Sequence, residues 1–414
     1  MSETELGYKQ TKIGKLPNDW EVSKLSDVCE IKGGKRLPKG YELQEHKNNI
    51  PYIRVADMYM GGICLDNIKY VPAEIADKIK NYKISSKDLF ISVAGTLGIV
   101  GEVPEELDGA NLTENADKLC NIKIDKKYLL NVLQSEVIQT IILSEMTNNA
   151  QPKLALTRIK EFLIPIPSIE EQEKIAEILS TWDSAIEKQE QLIEKKKEFK
   201  KGLMQNLYSK GTKKEMLVKS KLGEVPESWK IVKAKEVFKS VSIKDNENEE
   251  LLSVTQDKGT ILRSQLEGNV VMPEGSTRGY KLVVPNNFII SLRSFQGGLE
   301  ISKHRGIISP AYTVLDNKIE ICHDYFKYYF KKEEFISRLN GAIVGIRDGK
   351  QISYADFGEM FLPVPSLEEQ IKIAEILIVA DKEIELLEKE LEVLKLQKKG
   401  LMQRLLTGEV RVKV

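Results

Sequence analysis

Basic side chains are concentrated in a few glycine-containing segments of this chain. The segment from Ile31 to Gly40 carries four basic residues and no acid, with glycines at three of its positions. Glycine lets the backbone approach a ligand closely, and a neighbouring lysine or arginine can then reach a phosphate or a guanine edge. A solvated charged turn is the alternative explanation. We therefore take Lys35 and Arg36 as candidate contacts to nucleic acid.

Two further places in the first half carry the same kind of chemistry. Arg54 follows a β-prone run, and the alternative role for it is an ion pair with Asp57. Gln151 and Lys153 lie in a polar loop just before a long helical segment. Amide side chains can bind adenine through two hydrogen bonds, although they also cap turns.

The second half has an equivalent set of candidates. Four polar or basic residues flank a predicted hairpin: Arg293, Gln296, Lys303 and Arg305. Three more precede the second long helical segment, at the position that residues 150–153 occupy in the first half: Arg347, Lys350 and Gln351. Analogy of position makes these three candidates for DNA contact.

Signatures of catalysis and of cofactor binding do not occur in the sequence. It has no GxGxxG or GxxxxGK[ST] phosphate loop and no [Asp/Asn]-Pro-Pro-[Tyr/Phe] amino-methylation motif. The four cysteines are far apart and the three histidines are scattered, so we expect reduced thiols in a cytosolic protein. Metal ligation is the alternative. We predict no catalytic residue, no metal and no cofactor.

Charge and hydropathy limit the possible partners. The 62 basic and 62 acidic residues give a net charge of +0, which argues against coating nucleic acid through bulk charge but allows a local basic face. The first residues lack a basic and apolar leader, and no apolar run approaches the roughly 20 residues that span a bilayer. We expect a cytoplasmic protein without a membrane partner.

The elements that must position these candidates form an internal repeat. A Pro-x-Pro-Ser-x-Glu-Glu-Gln motif begins at Pro165 and again at Pro363, and a Lys-Lys-Gly-Leu-Met-Gln motif begins at Lys200 and again at Lys398. Both pairs are 198 positions apart, which indicates a duplicated structural unit. A weaker repeat, Leu-Pro-x-x-Trp or Val-Pro-x-x-Trp, marks the start of each half. The segments between the copies barely resemble each other.

The repeated segments are predicted to be long helices. Ser168 and Ser366 each stand three residues before a glutamate, which is the pattern of a capping box at a helix start. Gly211 and Gly408 suit the C-terminal caps. Helical pieces are also predicted near 127–146 and 324–340, and the remainder of each half reads as short strands. Forty helical residues extend roughly 60 Å.

Each long helix has an apolar seam with alternating spacings of three and four, as in a coiled coil. The predicted seams are Leu179, Trp182, Ile186, Gln189, Ile193, Lys196, Lys200, Leu203 and Leu207, and Leu377, Ala380, Ile384, Leu387, Leu391, Leu394, Lys398, Leu401 and Leu405. Antiparallel pairing within the chain is favoured, because the eleven residues of 211–221 reach under about 40 Å and cannot span the whole rod. Separate packing of each helix on its own domain is the alternative.

These features predict the fold class and the domain order. The fold class is α+β: two strand-rich globular domains separated by two long helices that form an antiparallel intramolecular coiled coil, with a pseudo-two-fold internal repeat. The predicted domains are 1–167, a helical spacer 168–211, a second globular domain 212–365 and a second spacer 366–414. Because glycine inside a helix costs about 1 kcal/mol relative to alanine, close approach by another helix would justify Gly202 and Gly400. We predict subunit docking there, with Leu203 and Leu401.

The whole chain resembles the specificity subunit of type I restriction–modification systems. The resemblance rests on the starts of the two halves, on the two Pro-x-Pro-Ser entries, and on the patterns at residues 51–57, 88–98 and 306–315. It implies two target recognition domains that read a bipartite, asymmetric site in double-stranded DNA, and a chain that catalyses nothing itself. It also implies assembly with two methylation subunits and with restriction subunits. A non-catalytic coiled-coil scaffold for proteins is the alternative function; it predicts no salt-dependent DNA binding.

Overall fold

The computed structural model describes residues 7–146, 153–256, 259–265, 277–341 and 352–414. The chain divides into two compact units: unit 1 comprises Met1–Gln189 and Glu390–Val414, and unit 2 comprises Glu190–Lys389. Each unit therefore combines one strand-rich head with half of each long helix. No helix within the described ranges is both long enough and apolar enough to cross a membrane.

Unit 1 contains short strands, small helices and the beginning of the first long helix. Its strands are β1 (Tyr8–Thr11), β2 (Gly14–Pro17), β3 (Glu21–Lys24), β4 (Glu30–Gly33), β5 (Pro51–Ile53), β6 (Met58–Tyr59), β7 (Gly62–Ile63), β8 (Lys69–Tyr70), β9 (Lys83–Ile84), β10 (Leu89–Ser92), β11 (Val100–Glu102), β12 (Ala110–Leu112), β13 (Ala116–Cys120) and β14 (Leu163–Ile166). Its helices are α1 (Leu25–Val28), α2 (Ala76–Ile79), α3 (Lys126–Gln134), α4 (Glu136–Met146), α5 (Leu156–Lys160) and the start of α6 (Ile169–Lys210). Short 3-10 turns cover Val55–Asp57, Ala73–Ile75 and Glu105–Leu107.

Unit 2 repeats the plan, with fewer strands among its described residues. Its strands are β15 (Leu217–Ser220), β16 (Gly223–Pro226), β17 (Lys230–Lys233), β18 (Phe238–Val241), β19 (Leu252–Thr255), β20 (Gly259–Leu262), β21 (Lys281–Val283), β22 (Phe288–Ile290), β23 (Glu300–Ile301), β24 (Gly306–Ile308), β25 (Thr313–Asn317) and β26 (Phe361–Val364). Its helices are α7 (Ala234–Val237), α8 (Ser294–Gly297), α9 (His323–Tyr329), α10 (Glu333–Gly341), α11 (Tyr354–Gly358), the second half of α6, and α12 (Leu367–Leu406) as far as Lys389, with a 3-10 turn at Arg263–Gln265.

Each head is organised around a four-stranded antiparallel sheet. The order is β11-β10-β13-β4 in unit 1 and β18-β25-β22-β23 in unit 2. Unit 1 has a second four-stranded sheet, β8-β5-β12-β9, in which β5 and β12 run parallel. The helical pieces predicted near 127–146 and 324–340 correspond to two pairs of short helices, and the short strands predicted for the remainder of each half are present.

The ends of the two long helices lie where the repeat predicts them. The hydroxyls of Ser168 and Ser366 accept the backbone N–H groups of Glu171 and Glu369 at 3.3 Å. At the other end, Gly211 and Gly408 both have φ of 67°, the left-handed conformation that ends many helices and that glycine adopts without strain. Both predicted caps are therefore confirmed.

The predicted role of the two glutamates in the capping boxes is wrong. The buried carboxylate of Glu171 accepts the indole Nε1–H of Trp20 at 3.2 Å and a hydrogen bond from Arg411 at 2.7 Å. The equivalent Glu369 accepts the backbone N–H and the hydroxyl of Thr212. A buried carboxylate must be hydrogen-bonded, and these distant donors compensate its burial better than a return bond to the helix start.

The predicted seam is confirmed at every position, because each of its residues is buried or half-buried. The helices pair antiparallel within each unit. In unit 1, Gln189 is 3.3 Å from Glu390, and Lys398 is 2.5 Å from Asp183. As residue numbers fall along α6, they rise along α12, which defines the antiparallel direction.

Unit 2 shows the same direction. Lys196 is 2.5 Å from Glu383, and Lys200 donates to Asp381. The polar seam residues therefore reach acids on the facing helix, which fixes the pairing partner of each. Both helix halves also pack on the core of their own head, through Leu179 and Leu405 in unit 1 and Leu207 and Leu377 in unit 2.

Candidate nucleic-acid interface

In unit 1 the predicted basic segment lies against the loop that joins β12 to β13. The backbone N–H of Gly34 donates to Ala116 at 3.0 Å, and that of Lys35 donates to Leu112 at 2.8 Å. A Cβ atom at Gly34 would be 2.0 Å from the Thr113 carbonyl oxygen, so the close approach requires glycine. This contact holds the segment after β4 at one edge of the sheet.

Lys35 and Arg36 project from that edge. The Lys35 ammonium is 5.6 Å from the centre of the Tyr82 ring, in a cation–π contact. The Arg36 side chain is 78% exposed and pairs with Glu114 at 2.5 Å. Such an exposed pair contributes at most about 1 kcal/mol. The guanidinium can therefore exchange its carboxylate for a phosphate at small cost.

Lys153 reaches the same edge from the segment that precedes α5. It is exposed and forms a β-bridge with Ala94, whose backbone N–H donates to Asn115 at 3.2 Å. Beneath the edge lies Asp117, which is only 5% exposed. Burial raises the pKa of Asp117 to about 6, and the charge of Lys153 partly opposes that rise.

Arg54 is held inside the head. Its guanidinium donates to Asp57 through Nε at 3.0 Å and through Nη2 at 2.5 Å, and also to the Asn67 carbonyl at 2.8 Å. Asp57 is 4% exposed, so this is a buried pair rather than an exchangeable one. The ion pair weighed as the alternative for Arg54 is thus present. Gln151 lies outside the described residues.

In unit 2 the described candidates lie in two segments, at helix α8 and in the loop between β23 and β24. Gln296 accepts the Gln256 side-chain amide at 3.3 Å, while the exposed Lys303 is attached through its backbone N–H to the Thr260 hydroxyl at 3.3 Å. Arg293 is exposed at the start of α8, and Arg305, whose side chain is 55% exposed, pairs with Glu249 at 2.8 Å. Arg347, Lys350 and Gln351 lie outside the described residues.

Three lysines that the sequence did not single out as DNA contacts lie beside Lys303. Lys327 and Lys331 come from the helical region that begins at His323, and Lys200 comes from α6. The sequence did contain one signal of this cluster: Lys327 and Lys331 are four residues apart in a predicted helix. Lys200 was predicted only as a polar seam residue, because nothing local connects it with a loop a hundred residues away.

The predicted docking residues divide into two kinds. Gly202 and Gly400 are exposed, and a Cβ added at either would meet no heavy atom of the described chain within 4 Å. Leu203 and Leu401 are half-buried against the cores of their own units. The glycines therefore leave open strips on α6 and α12, with no helix of the described chain against them.

Comparison with known proteins identifies the family. The sequence model described as "Type I restriction modification DNA specificity domain" matches residues 17–195 and 226–396, which is most of the chain and both copies of the repeat. The chain belongs to this family. The prediction made from the two Pro-x-Pro-Ser entries and the starts of the two halves is thereby confirmed.

Curated relatives and a solved structure agree over the full length. The putative type I restriction enzyme MjaX specificity subunit of Methanocaldococcus jannaschii is 29% identical, over 99% of this chain and 98% of that protein. The MjaVIII specificity subunit of the same organism is 27% identical, over 99% and 97%. A chain from a study of assembly and conformational transition of the type I R-M system has a TM-score of 0.59 at 14% identity, over 95% of this chain and 99% of that one. That likeness supports the fold.

Family membership makes DNA sequence recognition within a type I restriction–modification complex the function of this chain. The predicted α+β fold, with two strand-rich heads and long antiparallel helices, is confirmed as well. A scaffold without DNA binding is not favoured, since both matched segments belong to a DNA specificity family.

Proposed function

We propose that the two heads read two different half-sites of a bipartite, asymmetric DNA target. One contrast carries this proposal: the two long helices begin in the same way, whereas the candidate DNA-contacting side chains of the two heads differ. The starts of α6 and α12 share one motif and equivalent bonds, whereas the polar residues of the two heads differ. Counted from Trp20 and Trp229, Arg36 corresponds to Asp245, and counted from Pro165 and Pro363, Lys153 corresponds to Gln351. Different side chains on the same frame present different donors to base edges.

The chain itself is proposed to do no chemistry. In this reading, two methylation subunits modify the target and restriction subunits cut DNA, while this chain selects the sequence. We propose that the open strips at Gly202 and Gly400 receive helices of the methylation subunits, with Leu203 and Leu401 holding the strips in place from beneath. The cytoplasm, where such partners and DNA meet, is the proposed location.

Methylation mapping tests the recognition proposal. The chain is co-expressed with its methylation subunits, and the modified bases are located by sequencing. We expect two unlike specified segments separated by unspecified base pairs. Replacing Lys35 and Arg36 by glutamine should relax one segment only, whereas replacing Arg293 and Gln296 by alanine should relax the other. A continuous palindrome would contradict the proposal, as would loss of both segments from one head's variant.

A pull-down tests the docking proposal. Gly400→Leu places a bulky side chain on the open strip and should weaken capture of the methylation subunits. Lys389→Leu, at an exposed position of the same helix, is the matched control and should leave capture unchanged. Equal capture by both variants and the unaltered chain would remove Gly400 from the docking surface.

A further inference from the structure

A cleft of about 480 Å³ opens in unit 2 where α6 passes α9 and the loop that follows β23. Four lysines and two acids line it: Lys200, Lys303, Lys327, Lys331, Glu300 and Asp381. The lysines come from three separate parts of the chain, so the fold assembles the cluster. The excess of two positive charges makes the cleft attractive to an anion.

The donors of Lys331 are already used within the protein. Its ammonium donates to the buried Glu300 carboxylate, and to the carbonyl oxygens of Gln256 and Gly297 at 2.9 Å each. An ammonium has three donors, and all three are satisfied. Lys331 therefore holds the loops around the cleft together, and Glu300 neutralises it.

The second acid is also fully engaged. One oxygen of Asp381 accepts from Lys200, and the other accepts from the Tyr328 hydroxyl at 2.6 Å. Two ammonium groups lie near the Tyr328 ring, with Lys200 at 5.3 Å and Lys327 at 4.8 Å from its centre. Burial, and then the bond to Asp381, raise the pKa of the Tyr328 hydroxyl, so it remains a neutral donor at neutral pH.

Lys303 and Lys327 retain unused donors. Lys327 is 3.6 Å from Asp324, which is beyond hydrogen-bond distance. Within the described ranges Lys303 has no ion-pair partner, and its side chain is exposed. Together with Lys200, these two ammonium groups can surround one tetrahedral anion.

The repeat supplies an internal comparison. Tyr128 and Tyr325 donate to the equivalent carbonyls of Pro165 and Pro363, which aligns α3 with α9. In that alignment, the positions of Lys327, Tyr328 and Lys331 are taken in unit 1 by Leu130, Asn131 and Gln134. The common frame therefore folds without Lys327 and Lys331. Lys331 has a structural role in holding the loops of unit 2, whereas Lys327 holds no loop, so a ligand rather than the fold accounts for Lys327.

We propose that this cleft binds a backbone phosphate of the DNA duplex that unit 2 recognises, through Lys200, Lys303 and Lys327. The inference rests on the proposed function, and adds an anchoring contact that carries no sequence information itself. Such a contact fixes the position of the duplex on the head, while neighbouring residues of α8 and its loop reach the bases.

The test uses the chain assembled with its methylation subunits. DNA affinity is measured by fluorescence anisotropy at several salt concentrations, with the target sequence found by methylation mapping and with unrelated DNA. The double variant Lys303→Gln, Lys327→Gln should reduce the slope of log affinity against log salt by about 1, since the cleft holds one phosphate and each phosphate contact contributes about 0.9. Its preference for the target over unrelated DNA should persist. Lys303→Arg with Lys327→Arg should restore the slope, and Lys389→Gln should not alter it.

The outcomes separate the two proposals. A complex of unaltered chain that shows no preference for any sequence would overturn the proposed function. Clear preference, combined with an unchanged slope in the double glutamine variant, would overturn only the phosphate cleft. Titration with inorganic pyrophosphate tests whether the cleft binds a small phosphate ligand instead. If the double variant loses pyrophosphate binding while the salt slope for DNA is unchanged, the cleft binds a free phosphate ligand and the DNA contact is overturned.

Discussion

Replacing Asp117 by asparagine should stabilise unit 1 at neutral pH. Asp117 is 5% exposed in β13, beneath the basic edge, and burial raises its pKa from an ordinary 3.8 to about 6. A raised carboxyl pKa means that the folded state binds the proton more tightly than the unfolded chain does. The contribution of Asp117 to the free energy of unfolding is therefore full below about pH 4, where the carboxyl group is protonated. This contribution falls as the pH rises to about 6 and stays low above that.

The size of the effect follows from the shift. A rise of about 2 units corresponds to about 3 kcal/mol between the protonated and ionised forms, at 1.36 kcal/mol for each unit. Asparagine has nearly the shape of the protonated side chain and carries no charge. Asp117→Asn should therefore raise the unfolding free energy by up to about 3 kcal/mol at pH 8 and by little at pH 4. Lys153→Met should lower it at pH 8, because the lysine charge favours the ionised carboxylate.

Urea unfolding followed by circular dichroism at both pH values gives the comparison, and hydrogen exchange of β13 reports on unit 1 alone. Asp77→Asn is the matched control, because the Asp77 side chain is 93% exposed and its replacement should change nothing at either pH. Equal stability of Asp117→Asn and the unaltered chain at pH 8 would refute the reasoning. A gain that persists undiminished at pH 4 would refute the electrostatic explanation.

Two further predictions concern the ends of the long helices. Arg411→Ala should lower the unfolding free energy by about 2–3 kcal/mol, because it leaves the buried Glu171 carboxylate without its cation. Arg404→Ala removes an exposed ion pair and should lower the unfolding free energy by under about 1 kcal/mol. Urea unfolding measures both. Gly408→Ala should lower the melting temperature, because φ is 67° and the new Cβ would be 2.4 Å from a proline ring, whereas Gly400→Ala should raise the unfolding free energy by about 1 kcal/mol.

The helical frame was predictable because its signals are local. Proline entries, serine caps, terminal glycines and the spacing of seam residues all lie within a few residues of what they specify, and each seam position is in fact buried or half-buried. The glutamates of the entry motif were misassigned because their donors are distant in sequence. Arg411 is 240 positions from Glu171, and Thr212 is 157 positions from Glu369.

The candidate site was predictable only in part, for the same reason. Basic residues in glycine-containing segments marked Lys35, Arg36 and Lys303, all of which are exposed. The sequence did not reveal that Glu114 would pair with Arg36, or that α6 would bring Lys200 to Lys327. Charge clusters formed by separate elements depend on tertiary contacts, which single-sequence patterns do not encode.

The bonds at the helix starts explain how one frame can carry unlike heads. The side chain of Gln172 donates to the Pro167 carbonyl at 2.9 Å and accepts the backbone N–H of Asp125 at 3.0 Å. Gln370 does the same with Pro365 and with Cys322. Because the bonded groups belong to the backbone, aspartate and cysteine serve equally well at that position.

A joint built on backbone groups constrains the path of the head but not its side chains. The tyrosine contacts to the proline carbonyls add a second tie at each joint, again to backbone oxygen. Loop residues beyond these ties can therefore change without loosening the head from its helix. This separation of attachment from surface chemistry is the physical basis on which one repeated frame can hold two different reading surfaces.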